Sequence, residues 1–211
     1  WRQNPSDSFL YTGYSNENPI ELLGHLRTLI KSPWYQRRWG KEFSLIKDST
    51  DEITNSRGGQ HLARGIMGGA TGKHPKYVFI DDPQKGMETG SERKMAAAAK
   101  YFSNTIASRG IIEDSRICII MQRLAVNDLC GVILGENGRD DVDEMHDAEL
   151  EEANDEMRKI LDAIDNQWHH LCLPMEFDPE HPYRYPLDPR TEKEQLLWPE
   201  KVPVPQALRP P

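Results

Sequence analysis

One apolar run near the middle of this 211-residue chain constrains the fold more than any other feature. The run, YVFIDDP, occupies residues 77–83 and stops at two adjacent carboxylates. Successive residues of a strand point to opposite faces of a sheet, so three consecutive apolar residues predict a strand covered on both faces, as in parallel sheets of α/β proteins. Pro83 cannot donate a backbone hydrogen bond and favours an extended Asp82, which predicts that the strand ends at the acids.

The two carboxylates, Asp81 and Asp82, are therefore expected at a ligand-binding edge, because ligands of open parallel sheets bind beyond the carboxyl ends of the strands. Such a pair suits Mg²⁺ and a water that attacks a phosphoryl group. One acid can hold the hydration shell of the metal while the other accepts a proton. Acids at this position also cap following helices, so the pattern alone leaves both roles open.

A second apolar strand follows after one helix. Residues 92–108 have helical periodicity, and residues 117–121 form the next apolar run, which leads into Gln122 and Arg123. A strand, a helix and a strand in this order predict a right-handed crossover with parallel pairing. Gln122 and Arg123 should then lie at the same sheet edge as the acid pair. Gln122 either senses a terminal phosphate there or only bonds a loop carbonyl.

The first part of the chain predicts a strand at residues 8–15 and then a helix. Asn18 is the expected N-cap of that helix, with Pro19 at its first position. Short alternating segments in residues 43–67 predict a small antiparallel excursion. The glycine-rich residues 68–75 lack the spacing of a phosphate-binding loop and precede a strand rather than a helix.

The segment that follows the first helix combines three large aromatic residues, Trp34, Tyr35 and Trp39, with Arg37 and Arg38. It has two interpretations. Arginine binds phosphate and stacks on rings, which suggests a phosphate or DNA contact. Alternatively, the aromatic residues of a short helix pack on the sheet while both arginines face water, and this second interpretation is favoured.

Charge and cysteine content limit the class of protein. The net charge is -8, and residues 136–165 contain 13 acids and three bases, a balance of -10, so the rest of the chain is at -8 - (-10) = +2. A DNA partner is therefore compatible with that remainder. Three widely spaced cysteines in apolar surroundings predict reduced core thiols, and no apolar stretch is long enough to predict a membrane span or a leader, which indicates a soluble, unsecreted protein.

Nine short segments occur in a characteristic order over most of the chain. They are SPWYQ at 32–36, GG at 58–59, TGKH at 71–74, FIDDP at 79–83, NTIASR at 104–109, IIMQRL at 119–124, NDL at 127–129, LPME at 173–176 and LWPE at 197–200. In this order and spacing the chain resembles the large subunit of tailed-bacteriophage terminase.

The resemblance implies an α/β, P-loop NTPase-like fold of the additional-strand class. Its largely parallel sheet would be flanked by helices, incomplete, and extended by the small antiparallel excursion. Residues 1–173 would be the later part of the ATPase domain, with an acidic, partly helical insertion at 136–165. Residues 174–211 would be a proline-rich linker toward a nuclease domain. The phosphate-binding loop and its strand would precede this chain, and that strand would pair with the one that holds Ile119, whose edge is otherwise exposed.

The resemblance also implies site residues and cofactors. ATP and Mg²⁺ would bind at the acid pair, where Asp81 matches the Walker B aspartate that holds Mg²⁺ through water. Asp82 matches the catalytic carboxylate that activates the attacking water, although many large terminases have the longer Glu there. Gln122 falls in the coupling motif near the nucleotide, and Arg109 and Arg123 are candidates for neutralising transition-state charge.

The implied function is packaging of viral double-stranded DNA into a procapsid in the host cytoplasm, driven by ATP hydrolysis. The portal protein, the small terminase subunit and further copies of this chain would be partners, with no membrane involved. Without a phosphate-binding loop, this chain alone is expected not to hydrolyse ATP. Two alternatives remain: a non-catalytic module, as in a degenerate prophage remnant, that binds DNA or capsid, and a metal-dependent nuclease that uses the two acids.

Overall fold

The computed structural model describes residues 1–66, 75–84, 102, 115–125, 128–134, 169–174, 176–181 and 184–197. The chain divides into two compact units, Trp1–Asp165 and Asn166–Pro211. In the first unit the described strands are β1 (Ser8–Gly13), β2 (Leu45–Asp48), β3 (Glu52–Asn55), β4 (Gln60–Gly65), β5 (Tyr77–Asp81) and β6 (Arg116–Ile120), and the described helices are α1 (Glu17–Lys31), α2 (Pro33–Trp39) and α3 (Leu129–Leu134).

The six strands form one mixed sheet in the order β2-β3-β4-β1-β5-β6. Strands β4, β1, β5 and β6 are mutually parallel, while β2, β3 and β4 pair in antiparallel fashion. The predicted α/β class, the mostly parallel sheet and the small antiparallel excursion are thus confirmed. Gly58, in the turn between β3 and β4, has a φ of +86°, a conformation that glycine adopts without steric cost.

The two faces of the central strands are packed differently. Leu10 of β1 and Val78 and Ile80 of β5 are almost fully buried on one face. On the other face, the rings of β1 stack on those of neighbouring strands, with centroid separations of 4.3 Å for Phe9–His61 and 5.3 Å for Tyr11–Phe79. The rings of β1 and β5 are only half-buried, so this face is less completely covered than the run of residues 77–83 predicted.

Helix α1 starts two residues earlier than the sequence indicated. Asn16, not Asn18, is the N-cap, and its side-chain Oδ1 accepts a hydrogen bond from the Gly65 N–H at 2.5 Å instead of capping the helix. Pro19 therefore sits in the first turn, where a missing N–H costs nothing. Leu23 and Ile30 of α1 are buried in a core cluster shared with β3, β4 and the residues after α2.

Helix α2 confirms most of the favoured interpretation of its aromatic residues. The Ser32 hydroxyl caps it by accepting from the Tyr35 N–H at 3.2 Å, and Pro33 occupies its first position. Tyr35 is 9% exposed, and the half-buried Trp39 packs against the same core cluster. Trp34 differs, because it is 46% exposed.

Strand β6 is the outermost strand on its side of the described sheet, and its burial differs from the prediction. Cys118 and Ile120 are exposed, so neither the expected cover on both faces nor a core position for Cys118 is correct. None of the three cysteines, all of which the structure describes, forms a disulfide, and Cys130 and Cys172 are partly buried. No described helix is long and apolar enough to cross a membrane.

The exposed edge of β6 generates the first prediction. The Arg116 N–H bonds to the Lys76 carbonyl, so in a parallel ladder Ile117 and Ile119 direct their N–H and C=O groups outward. We expect residues 1–211 to self-associate through this edge, because its only charged residue is Arg116 at the start of the strand and the four residues that follow are apolar. Ile120→Lys, at a side chain that is 59% exposed, should weaken the association about tenfold by placing like charges opposite one another.

Sedimentation velocity over a concentration series checks this, with reducing agent present to exclude disulfides of Cys118. Ile46→Lys is the matched control, since Ile46 is 68% exposed on the opposite edge strand β2, beside Lys47 and Asp48. An equal effect of both substitutions would show that β6 is not the contact.

Candidate functional site

The carboxyl ends of three parallel strands meet at one edge of the sheet. Gly13 of β1, Asp81 of β5 and Ile120 of β6 are in register, so the residues that follow each strand leave the sheet side by side. The two strands that the sequence placed at this edge, with Asp81 and Asp82 after one and Gln122 and Arg123 after the other, are indeed parallel neighbours. Arg109 lies outside the described residues.

Gly13 allows the close approach of β1 to β5. A Cβ atom at this position would lie 2.7 Å from the Asp81 carbonyl oxygen, a distance that real Cβ atoms do not adopt. A side chain here would therefore push the two strand ends apart. The sequence contains the glycine, but nothing in its local pattern indicates that Asp81 is its neighbour.

Asp82 is not extended, contrary to the expectation from Pro83, but has a φ of +40°. Its N–H donates to the Ile120 carbonyl oxygen at 2.9 Å, and its carbonyl oxygen accepts from the Tyr14 N–H at 3.2 Å. These bonds to the segments after β6 and β1 stabilise a left-handed conformation that Asp and Asn tolerate better than most residues. The strand itself ends at Asp81, as predicted, and the Asp82 side chain is exposed.

The two carboxylates differ in their environment. Burial raises the pKa of Asp81, and the nearby negative charge of Asp82 raises it further. A proton or a cation beside the pair would relieve both penalties. Proteins usually hold Mg²⁺ through one or two carboxylates, with waters and substrate phosphates as the remaining ligands, so the chemistry of this pair fits a largely hydrated magnesium ion.

Arg123 is attached to a buried carboxylate that sequence analysis did not single out. Its Nε donates to Asp128 Oδ2 at 3.2 Å, and the Asp128 side chain is fully buried. Asp128 Oδ2 also accepts from the N–H groups of Leu124 at 2.7 Å and Ala125 at 3.3 Å, while Oδ1 accepts from the Gly131 N–H at 2.8 Å. One carboxylate thus fixes the loop after β6 and caps α3.

Gln84 provides the corresponding link for the loop after β5. Its Oε1 accepts from the Leu129 N–H at 2.9 Å, and the residue is 9% exposed. Both strand-end loops are therefore bonded to the first turn of α3. An Asp directly before an apolar helical run is a usual N-cap signal and could have identified Asp128, whereas no local pattern identifies Gln84.

The fold and the site together define an α/β protein whose carboxylate pair lies at the carboxyl edge of a mostly parallel sheet. A scan of family models finds no family that matches the chain, and a search of curated proteins finds no similar one. Within the described ranges no group of three or more His, Cys, Asp or Glu side chains is arranged to hold a metal ion by itself. The assignment of a function therefore rests on the sequence pattern and on this geometry.

The Asp128 hydrogen bonds predict a large loss of stability on amide substitution. Asp128→Asn keeps the shape but replaces one acceptor oxygen with a donor, which leaves buried N–H groups unpaired. We expect the free energy of unfolding to fall by about 3 kcal/mol, since hydrogen bonds to charged groups contribute roughly 1.5–3 kcal/mol each. Chemical denaturation measures the change.

Asp178→Asn is the matched control, because the Asp178 carboxylate accepts a hydrogen bond from the Glu180 N–H, at 3.0 Å, in an exposed turn. It should cost less than about 1 kcal/mol, in the range of a neutral hydrogen bond. Similar losses in the two variants would refute a special role for the Asp128 carboxylate.

Because the pKa of Asp81 is raised, a substitution that removes its charge should increase the free energy of unfolding by an amount that depends on pH. Between the ordinary Asp pKa and the raised one, the folded state binds more protons than the unfolded state, so this group lowers stability as the pH rises through that window. Asp81→Asn carries no charge. It should be more stable than the wild type at pH 7, with a difference that shrinks as the pH falls toward about 4.

Denaturant unfolding at a series of pH values tests this, with the exposed Glu192→Gln as a control that removes one negative charge elsewhere. A stability of Asp81→Asn below that of the wild type at pH 7 would show that the folded protein favours the carboxylate.

Proposed function

We propose that this chain is the later part of the ATPase domain of a terminase-like large subunit, a P-loop NTPase of the additional-strand class. The complete protein would hydrolyse ATP with Mg²⁺ and use the energy to move viral double-stranded DNA into a procapsid. The observation that carries the proposal is the acid pair at the end of β5, between β1 and β6 in a parallel array.

The proposed roles follow from the environments of the residues. Asp81, partly buried and destabilised as a carboxylate, suits the water-mediated hold on Mg²⁺, because the metal charge offsets its desolvation. Asp82, exposed and fixed by backbone bonds on both sides, suits the acceptance of a proton from the attacking water. Bound ATP would supply the phosphoryl group that water attacks, and Mg²⁺ would neutralise part of its negative charge.

Gln122 and Arg123 would respond to the nucleotide from the end of β6. Arg123 is partly exposed and forms an ion pair with Asp128, which caps α3. A movement of Arg123 toward the nucleotide would therefore displace the first turn of α3. Gln122 is exposed at the same edge, where it can reach a terminal phosphate. Arg109 remains a second candidate for neutralising charge.

The outer edge of β6 supports the same proposal. A further parallel strand beside β6 would end next to Gln122, and a phosphate-binding loop after that strand would face Asp81 and Asp82. The portal protein, the small terminase subunit and further copies of this chain are proposed partners, with the host cytoplasm as the place of assembly.

A second candidate is a non-catalytic module that binds DNA or capsid, as a remnant of such a protein. The exposed Trp34 beside Arg37 and Arg38 is compatible with it, because such a surface can bind a partner without ATP hydrolysis. Under this alternative the acid pair would serve only the local structure.

The decisive test is ATP hydrolysis by the complete product of the gene that encodes this chain. Asp81→Asn and Asp82→Asn should each lower magnesium-dependent turnover by at least about 100-fold, the scale of losing a general base. Asn at position 82 tolerates the left-handed backbone, so the fold should persist. Residues 1–211 alone should show no turnover.

Glu192→Gln is the control for an unrelated loss of charge, and circular dichroism confirms folding of each variant. Near-normal ATP turnover in both Asn variants would contradict the proposed motor function. Magnesium-dependent turnover by residues 1–211 would contradict the expected need for a separate phosphate-binding loop.

A further inference from the structure

One side of α2 is not used by the core. Trp34, Arg37 and Arg38 are spaced i, i+3 and i+4, so they lie on the same side of the helix. All three are exposed, Trp34 by 46%, whereas the neighbouring Tyr35 is 9% exposed. We call these three residues the α2 surface. The exposed indole leaves a large apolar area in contact with solvent, since tryptophan is a large aromatic side chain.

The Trp34 ring is held in place rather than free to rotate. The Arg38 guanidinium carbon lies 4.7 Å from the ring centroid, and Arg38 Nη1 donates to the Trp34 carbonyl oxygen at 3.3 Å. The Trp34 and Trp39 rings pack in an edge-type arrangement, with an interplanar angle of 73° and a centroid distance of 5.2 Å. A ring fixed on two sides loses little conformational entropy when a ligand binds, so the α2 surface is preorganised.

Further cations lie near Trp39, the ring that contacts Trp34. Arg2 stacks on Trp39 with its guanidinium carbon 5.8 Å from the centroid, and Lys41 follows the helix. The last turn of a helix favours cations, which accounts for Arg37 and Arg38 but not for the exposed indole. An acidic chain that keeps several cations around a fixed aromatic ring is complementary to a partner with both phosphates and flat rings.

We infer that the α2 surface binds nucleic acid, with Arg37 and Arg38 on the phosphodiester backbone and Trp34 against an unpaired base. Arginine binds phosphate through two N–H groups, and a base stacks on an aromatic ring without sequence preference. The inference extends the proposed function, on which its biological role rests, because it names a surface that contacts DNA. The physical interaction itself requires no ATP hydrolysis.

Fluorescence anisotropy with residues 1–211 tests the inference directly. The probes are a fluorescein-labelled oligothymidylate and a labelled duplex of equal length, each titrated at several salt concentrations. Arg37→Ala/Arg38→Ala should weaken binding to both probes by at least about tenfold and lower the salt slope by about 1.5, as expected for two lost phosphate contacts. Trp34→Leu should weaken binding of the single strand about tenfold and affect the duplex little, whereas Trp34→Phe should retain most of the affinity.

Arg184→Ala/Lys193→Ala is the matched control, because it removes the same charge from exposed positions of the second unit. It should change neither affinity nor salt slope, and thermal unfolding should be similar for all variants. An equal loss of affinity in this control would show that only the net charge matters and would overturn the inference. Unchanged binding in the arginine variant would also overturn it. Dependence on the arginines without any effect of Trp34→Leu would reject the stacking contact.

Other partners give distinguishable results. Binding of phosphatidylserine vesicles that depends on the arginines, with no binding of either oligonucleotide, would overturn the inference in favour of an anionic membrane. Self-association that Trp34→Leu abolishes, again without oligonucleotide binding, would overturn it in favour of a second copy of this chain. Normal DNA binding combined with a complete gene product that hydrolyses no ATP would uphold the inference and reject the proposed motor.

Discussion

The parallel pairing of β1 with both β4 and β5 is the constraint on which the rest of the first unit depends. It joins the antiparallel strands to the strand that carries the acids, and it continues through β5 to β6. Leu10 and Thr12 are almost completely buried in it. Because Gly13 has no side chain, the pairing extends to the very end of both strands, and the Tyr14 N–H can then reach the Asp82 carbonyl. The position of the acid pair is thus a consequence of sheet packing.

The first turn of α3 connects the two loops that leave this edge. Gln84 bonds to it from the β5 side, and Asp128 joins it to Arg123 on the β6 side. The Gln84 contact is buried, and in the Arg123 contact the Asp128 carboxylate is buried, so neither acceptor would be fully compensated by water if its bond were lost. Displacement of one loop is therefore resisted by the other through the first turn of α3. Such a link can transmit a change at the acid pair to the rest of the domain, provided that the two loops have more than one stable arrangement.

Local patterns predicted what depends on local residues. The apolar run before Asp81, the antiparallel excursion and the parallel pairing with β6 follow from periodicity and from chain order, and each is present. The helix predicted at residues 92–108 lies outside the described residues except for Phe102. The start of α1, the backbone of Asp82 and the exposure of β6 differ from prediction because distant groups decide them. The Gly65 N–H donates to the Asn16 side chain, and the Asp82 backbone bonds to Tyr14 and Ile120. Strand order makes β6 the outermost strand on its side of the described sheet. The hydrogen bond from the Leu129 N–H to Gln84, which lies far away in the sequence, belongs to the same class.

The two edges of the sheet have different chemistry, and the difference bears on the proposed motor. On β2 a register irregularity between Leu45 and Lys47, together with Lys47 and Asp48, disfavours pairing with another strand. The sequence of β6, RICII, has its only charge at the first residue and exposes Ile120. An edge of this kind is costly to leave open in water, since its apolar side chains and outward backbone groups both favour a neighbour. The β2 edge of the described sheet therefore disfavours a further strand, whereas the β6 edge favours one. The proposed phosphate-binding loop would have to lie on the β6 side.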